Sequence, residues 1–443
     1  MGPEVVIYTF ILLVILVLLG VHIGISLGVS SVVGVWLAYG DVEIALSILG
    51  STAYEAIRSD ALAVIPLFVL MGEVLSRAGA ASDLYRLCDS ALKKLPGRLA
   101  AATVVGNAAF AAVSGVSIAS AATFSRIAYP EMRKLGYDKS YALGVVAGSA
   151  CLGMLIPPSV LLIIWAILTE GSVGALFIAG IGPGLLLAGA FILYNVVAVL
   201  LKPSLAPNAP ISAEAAAELR TDDKLSSAST FGGLGVIALI VLVLGGIWGG
   251  IFTPTEAAGF GALGGIAIGF LKGMSFRQFL TAVIDAGRTA APIMFLLIAG
   301  SMYARLLAVS GGTGMINEFF DSSGLSPFTI LIVMTIIWLL MGMIIDSISI
   351  ILLTVPIFVP LAVAAGVPEL AFAIYGILII EAGLLTPPVG LLVYTVKGTV
   401  PDKTVTLGEA FRGAVPYWII ILIVAVMILT FPAIATWLPS QTF

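Results

Sequence analysis

Two serine clusters and two proline pairs carry the polar chemistry of this sequence. Ser114, Ser117 and Ser120 form one cluster, and Asp346, Ser347 and Ser349 the other. Downstream lie Leu155-Ile156-Pro157-Pro158-Ser159 and Leu385-Thr386-Pro387-Pro388-Val389-Gly390. Proline lacks an N–H and clashes with the preceding turn, so each pair breaks a helix and frees carbonyl oxygens. Such carbonyls coordinate hard cations such as Na⁺, while half-helix N-termini face anions. The hydroxyls of Ser114, Ser117, Ser120, Ser347, Ser349 and Thr386 are the oxygen ligands at hand. Those of Ser117, Ser120, Ser159 and Ser347 can serve a substrate equally well. Asp346 is the sharpest residue, because a carboxylate at membrane depth is costly and functional by default. A bound cation or backbone N–H groups would hold it charged; a tip reaching outside water would also explain it. Glu381 tunes the ion site, carries a proton or pairs with a base, and the sequence leaves these three open. Arg305 suits a substrate carboxylate, or else is a helix-end charge or a scaffold salt bridge.

The elements that position these residues are membrane helices. Of 443 residues, 60% are hydrophobic and 10% charged, against about 25% charged in soluble domains. A spanning helix needs roughly 20 apolar residues, so the chain is polytopic. Continuous apolar runs argue against a β-barrel. A net charge of −4 without a basic run excludes a nucleic-acid binder. One histidine, His22, and two distant cysteines, Cys88 and Cys151, cannot build a common zinc or haem site; His22 reads as a packed or interfacial residue and the cysteines as small hydrophobes. No Walker loop is present. The first segment carries only Glu4 and reads as a retained span. In Phe252-Thr253-Pro254-Thr255-Glu256, Thr253 or Thr255 caps the next helix.

Lys and Arg mark the inner side. They cluster at 77–98, 126–139, 202–224, 272–288 and 397–412, whereas Leu306 to Val396 has none. Leu99 to Ser125 is uncharged and flanked by bases at both ends. Two crossings would need about 40 residues, and one would put a flank outside. The segment is therefore expected to be a re-entrant hairpin with its tip at Ser114 to Ser120, where freed backbone lines a cavity. Pro327 to Pro360 reads as a second hairpin entering from outside, with its tip around Asp346.

The two halves repeat in a single register. Ser117 falls on Ser347, Pro130 on Pro360, Gly136 on Gly366, Gly153 on Gly383 and Pro157-Pro158 on Pro387-Pro388. Arg58 falls on Arg288, and, two residues out of step, Gly72 on Gly300 and Arg77 on Arg305. Since the charges face opposite sides, the reading is an all-α inverted repeat with two re-entrant hairpins and two broken helices. The first repeat covers 1–201, with scaffold helices to 60 and transport elements over about 61–170. A linker, 202–229, contains a short helix from Ala213 to Leu219. The second repeat covers 230–443, with scaffold and arm over 230–289, transport elements over about 290–397 and a closing helix at 413–438. Lateral amphipathic segments are expected at Ile44–Asp60 and Ser275–Thr289. An odd number of spans per half places both termini outside.

Ile65-Pro66-Leu67-Phe68-Val69-Leu70-Met71-Gly72, Leu95-Pro96-Gly97, Ser114-Gly115-Val116-Ser117, Gly136-Tyr137-Asp138, Ile156-Pro157-Pro158-Ser159, Phe252-Thr253-Pro254-Thr255-Glu256-Ala257-Ala258 and Thr386-Pro387-Pro388-Val389-Gly390 occur in order. Together they resemble the large membrane subunit of tripartite ATP-independent periplasmic (TRAP) transporters. One departure is Arg98 after Leu-Pro-Gly, where glycine is expected. The resemblance implies a Na⁺-driven secondary transporter in a bacterial or archaeal cytoplasmic membrane, with Na⁺ as coupling ion and no organic cofactor. It implies two partner proteins, a small four-helix membrane subunit and a periplasmic binding protein that delivers an organic anion of carboxylate or sialic-acid class. It implies an elevator movement of the transport domain against the scaffold. It places the ion sites at the tips and breaks, adding Gly115, Ile156, Pro157 and Pro387 to the hydroxyls above.

A self-sufficient Na⁺/dicarboxylate symporter of related architecture would share these features without a binding protein. An intramembrane enzyme is disfavoured: His22 is isolated, and Asp346 has no intramembrane Asp partner. A channel fits an inverted repeat less well than alternating access does.

Overall fold

A computed structural model describes residues 4–207 and 227–442, except 313, 316, 317, 319–321 and 323. The short helix expected at 213–219 lies outside the described residues. Within them the chain is helical, and seven helices are long and apolar enough to cross a bilayer.

Glu4–Leu18 and Ile23–Tyr39 open the chain, followed by Val42–Arg58 and Asp60–Arg77. After a lateral helix, Ala80–Ala91, the first hairpin pairs Arg98–Ser114 with Ser117–Lys134. Only Gly115 and Val116 join its arms, and Gly115 turns the chain at φ 64°, which a side chain would resist. The first broken helix runs as Lys139–Ala150 and Leu152–Leu155, then resumes as Val160–Leu168. Val173–Leu201 closes this half.

Ser227–Trp248, Pro254–Leu271 and Phe276–Val309 begin the second half. The second hairpin pairs Pro327–Gly342 with Ser347–Ala364. The second broken helix runs as Glu369–Gly383 and resumes as Leu391–Thr399, and Leu407–Thr430 follows. The returning hairpin arms, Ser117–Lys134 and Ser347–Ala364, are both 18 residues long and start at equivalent positions of the sequence register. The resumed half-helices are both 9 residues long.

The lateral segments differ between the halves. In the first, Val42–Arg58 and Asp60–Arg77 bend by 50° at Ser59, whose backbone is extended. In the second, the segment expected at Ser275–Thr289 is not separate: Phe276–Val309 is one helix of 34 residues. The local chemistry accounts for this. Ser59-Asp60 suits a helix start, with a carboxylate in the first turn. The matching Thr289-Ala290 keeps a hydroxyl but lacks the acid, and the helix continues through Pro292. Elsewhere the cap expected before Glu256 forms as a capping box on Thr253. The closing helix begins earlier than 413, where Thr406 caps it and Glu409 completes the box.

Asp60–Arg77 packs along Pro254–Leu271 and Phe276–Val309, and the latter also lies against Ile23–Tyr39. The ion pair Arg77–Asp285 ties Asp60–Arg77 to Phe276–Val309, and Lys272, after Pro254–Leu271, pairs with Asp83 of Ala80–Ala91. The hairpins and broken helices interlock through fully buried rings. Trp165 of the first half meets Trp338 and Phe372 of the second, with centroids 6.3 and 6.0 Å away. Glycine permits the closest approaches: a Cβ on Gly376 would strike both tryptophans, and one on Gly144 would overlap the backbone of Gly413.

Candidate functional site

Each hairpin tip sits on the break of the broken helix from its own half. In the first half, Val160 N–H donates to the Gly115 carbonyl at 3.2 Å. In the second, Gly390, the register equivalent of Val160, donates to the Met343 carbonyl at 3.2 Å. The freed N-terminus of each resumed half-helix thus finds its acceptor on a tip, which satisfies a donor that a helix start leaves open. The fit is tight. A Cβ on Gly115 would lie 2.9 Å from the Pro158 carbonyl, and one on Gly153 would lie 3.1 Å from Ser117 Cα. Gly342 and Gly383 meet with equal closeness across the second seat.

At the first seat the structure gathers Ser114, Gly115, Ser117, Ser120, Ile156, Pro157 and Ser159. Ser114 and Ser120 hydroxyls stand 3.3 Å apart. Ser159 caps Val160–Leu168 by accepting from Leu162 N–H, and donates to the Met154 carbonyl at 2.5 Å. At the second seat it gathers Asp346, Ser347, Ser349, Thr386 and Pro387. Asp346 caps Ser347–Ala364: one carboxylate oxygen accepts from Ser349 N–H at 3.0 Å, the other from the Ser349 hydroxyl at 2.5 Å. Backbone N–H donation, one of the two supports expected for its charge, is therefore present. Thr386 donates to the Gly383 carbonyl at 2.7 Å. The seats are not identical, since Pro157 and Pro158 are buried whereas Pro387 and Pro388 are exposed.

Between the seats lies Glu381, 1% exposed. Ser347 donates to its Oε1 at 3.0 Å. The Ser117 hydroxyl lies beside the same carboxyl but outside hydrogen-bond geometry. The Cys151 thiol points at the Glu381 carbonyl, 3.8 Å away. Cys151 and Glu381 occupy equivalent positions of the register, as do Ser117 and Ser347. Composition makes Cys151 a small hydrophobe; the register alone would have paired it with Glu381. Among the described residues no base stands beside Glu381, so of the three roles left open for it, pairing with a basic group is not observed.

Arg305 stands apart from both seats. It is exposed on the wall of a cavity of about 700 Å³ between Val42–Arg58, the end of Val160–Leu168, Phe276–Val309 and Ser347–Ala364. Glu55, Glu170 and Glu369 share that wall, and no tip serine lines it. His22 serves locally, its Nδ1 accepting from Gly24 N–H at 3.3 Å.

The sequence matches the family profile described as tripartite ATP-independent periplasmic transporter, DctM component, over residues 10–434. The chain belongs to the DctM family of TRAP transporters. It is 33% identical over 390 residues to the C4-dicarboxylate TRAP transporter large permease protein DctM of Pseudomonas aeruginosa, covering 87% of this chain and 88% of that one. It is 28% identical to the sialic acid TRAP transporter large permease protein SiaM of Vibrio cholerae, covering 86% of each chain. It is 26% identical to the ectoine TRAP transporter large permease protein TeaC of Halomonas elongata, covering 97% of each. In fold it is similar to the YdaH transporter of Alcanivorax borkumensis, with a TM-score of 0.59 at 15% identity, covering 90% of this chain and 89% of that one. It is also similar to MtrF of Neisseria gonorrhoeae, with a TM-score of 0.60 at 16% identity over 89% and 84%. This DctM-family chain is thus a multi-pass membrane permease of the large-subunit type. Its family is that of tripartite systems, which implies a small membrane subunit and a periplasmic binding protein as partners.

Proposed function

We propose that this chain is the translocation subunit of a Na⁺-driven secondary transporter. It takes up a small organic anion, of carboxylate or sialic-acid class, handed over by a periplasmic binding protein. It works beside a small four-helix subunit in the inner membrane, with both termini on the periplasmic side. The observation that carries the reading is the paired seating of hairpin tips on helix breaks, each lined by oxygen donors. Ser114, Ser117 and the carbonyls around Gly115, Ile156 and Pro157 suit one Na⁺. Asp346, Ser347, Ser349, Thr386 and the Pro387 carbonyl suit another. Hard cations take such all-oxygen sets.

A cation at a seat links the tip to the break and holds the pair as one unit. The tips and breaks would then move together against the scaffold as an elevator, carrying Ser120 and Ser159 with the bound substrate. Each Na⁺ entering down a potential of 100 mV supplies about 2.3 kcal/mol. Arg305 is placed to receive the anion at the cavity wall before it reaches the hydroxyls at the tips. The positive-inside rule puts that cavity outside, at the charge-poor end of Ser347–Ala364.

The test is uptake in proteoliposomes holding this chain with its small subunit, under an inward Na⁺ gradient. Candidate acids are offered with and without the binding protein. Uptake is expected only with both Na⁺ and the binding protein. Uptake of free substrate alone would replace the tripartite reading with a self-sufficient symporter.

A further inference from the structure

We propose that Glu381 is the charged ligand of one further alkali-cation site, shared by the two hairpin tips through Ser117 and Ser347. It rests on the sodium-coupled reading above and adds to it a site that belongs to neither seat alone.

Three observations carry it. Glu381 is 1% exposed and its Oε2 has no partner, while Ser117 is fully buried and its Oγ has none either. These two oxygens belong to facing side chains. The second observation is the lack of any counter-charge. Among the described elements packed most closely against Glu369–Gly383, only Leu407–Thr430 carries charged residues, Glu409 and Arg412, and Arg412 is exposed. The other groups facing the acid are the Ser347 hydroxyl and the Cys151 thiol, and Asp346, beside Ser347, is committed to Ser349. A buried charge is stable only when paired and hydrogen-bonded, and Glu381 has one hydrogen bond. The third is register. Ser117 and Ser347 are equivalent and approach one carboxyl from opposite halves, so a single acid serves both tips.

The contrast with Asp346 shows why a cap does not explain Glu381. Asp346 has both oxygens bonded by its own helix start. Glu381 leaves one oxygen without a partner, and the neighbouring Ser117 hydroxyl has none either. A small hard cation satisfies both and supplies the missing charge. Its presence would join the first tip to the second, so that one ion reports the closure of both hairpins.

The experiment measures Na⁺ itself rather than transport. The full chain, purified in detergent, is titrated with NaCl against choline chloride at constant ionic strength and pH. Thermal unfolding and radioactive Na⁺ binding at saturation are read for wild type, Glu381→Gln and Ser117→Ala. Glu381→Gln is expected to bind one Na⁺ fewer per chain and to need at least tenfold more NaCl for half of its thermal stabilisation. Ser117→Ala is expected to shift that midpoint severalfold while keeping the count. If Glu381→Gln does not fold, Glu381→Asp keeps the charge on a shorter arm and is expected to keep the count with a weakened midpoint. Wild type bound and stabilised by Na⁺, with an unchanged count and midpoint in Glu381→Gln or Glu381→Asp, overturns this site and leaves the seats standing. Wild type that neither binds nor is stabilised by Na⁺ overturns the sodium-coupled reading itself.

Discussion

Gly115→Ala tests whether the first hairpin tip is held on its break. Gly115 has φ 64°, a left-handed conformation that costs an ordinary L-residue roughly 1–2 kcal/mol. The new methyl would stand 2.9 Å from the Pro158 carbonyl, closer than a carbon tolerates, and this neighbour is backbone that cannot rotate away. Relief means lifting the tip, which breaks the Val160 N–H bond to the Gly115 carbonyl; a hydrogen bond of this kind contributes about 1 kcal/mol. That bond opposes lifting and does not add to the strain, so the backbone cost of about 1–2 kcal/mol together with the clash sets the penalty on the seated state, and every 1.4 kcal/mol is tenfold. If Na⁺ binds only the seated tip, its apparent half-saturation rises in proportion to the lost population. The expected increase is up to roughly five- to thirtyfold. The assay is uptake against external Na⁺ in proteoliposomes, with Na⁺-dependent thermal stabilisation as a second readout. Gly366→Ala is the control: its φ is 83° and nothing lies within 4 Å of the added methyl. It incurs the conformational cost without touching a seat, so its Na⁺ half-saturation should stay near wild type. If the two variants shift the Na⁺ half-saturation equally, the tip is not held by the break and the argument from seating fails.

Three further outcomes are expected. Asp346→Asn keeps a capping side chain, so its unfolding temperature should fall little, whereas Asp346→Ala should lose about 1 kcal/mol more; both should abolish or strongly weaken Na⁺-dependent uptake, and intact Na⁺ dependence in Asp346→Asn would reduce the residue to a cap. Arg305→Gln should raise the substrate concentration for half-maximal uptake at least tenfold while leaving Na⁺-dependent stabilisation alone; an unchanged substrate half-saturation would remove Arg305 from the substrate path. Asp402, in the loop before Leu407–Thr430, is held below the usual carboxylate range because Thr404 donates both its hydroxyl and its N–H. A depressed folded value stabilises the protein at neutral pH and is lost as pH falls through and below the ordinary Asp value of about 3.9. The acid side of the stability–pH profile should therefore flatten in Asp402→Asn, and a profile identical to wild type would show that the loop bears no such load.

Much of the fold was legible because its signals are local. Prolines remove backbone donors wherever they stand, so both breaks could be placed at Pro157-Pro158 and Pro387-Pro388. Gly115 ends the first tip because it takes a conformation that other residues resist. Thr253 and Glu256 form their capping box from neighbouring residues alone. The serine and carboxylate donors of each tip could likewise be named in advance, since a polar residue in an apolar run stands out.

Other features depend on contacts between residues far apart in sequence. Arg305, which the sequence offered as a substrate ligand, faces a cavity apart from the seats, because the direction of a side chain follows from the rotation of its helix against its neighbours. The continuity of Phe276–Val309 goes with the lack of an acid after Thr289, a negative signal that spacing does not reveal. Glu381 is the clearest case. Its type and depth were plain from the sequence, but its neighbours were not: Ser117 and Ser347 come from the two hairpins, and Cys151 from the other broken helix. The sequence by itself determined the helices, the breaks and the oxygen donors, since backbone chemistry and apolar length act locally. Tertiary structure alone decided that both tips converge on one buried acid, because packing chooses which polar groups share a water-free interior.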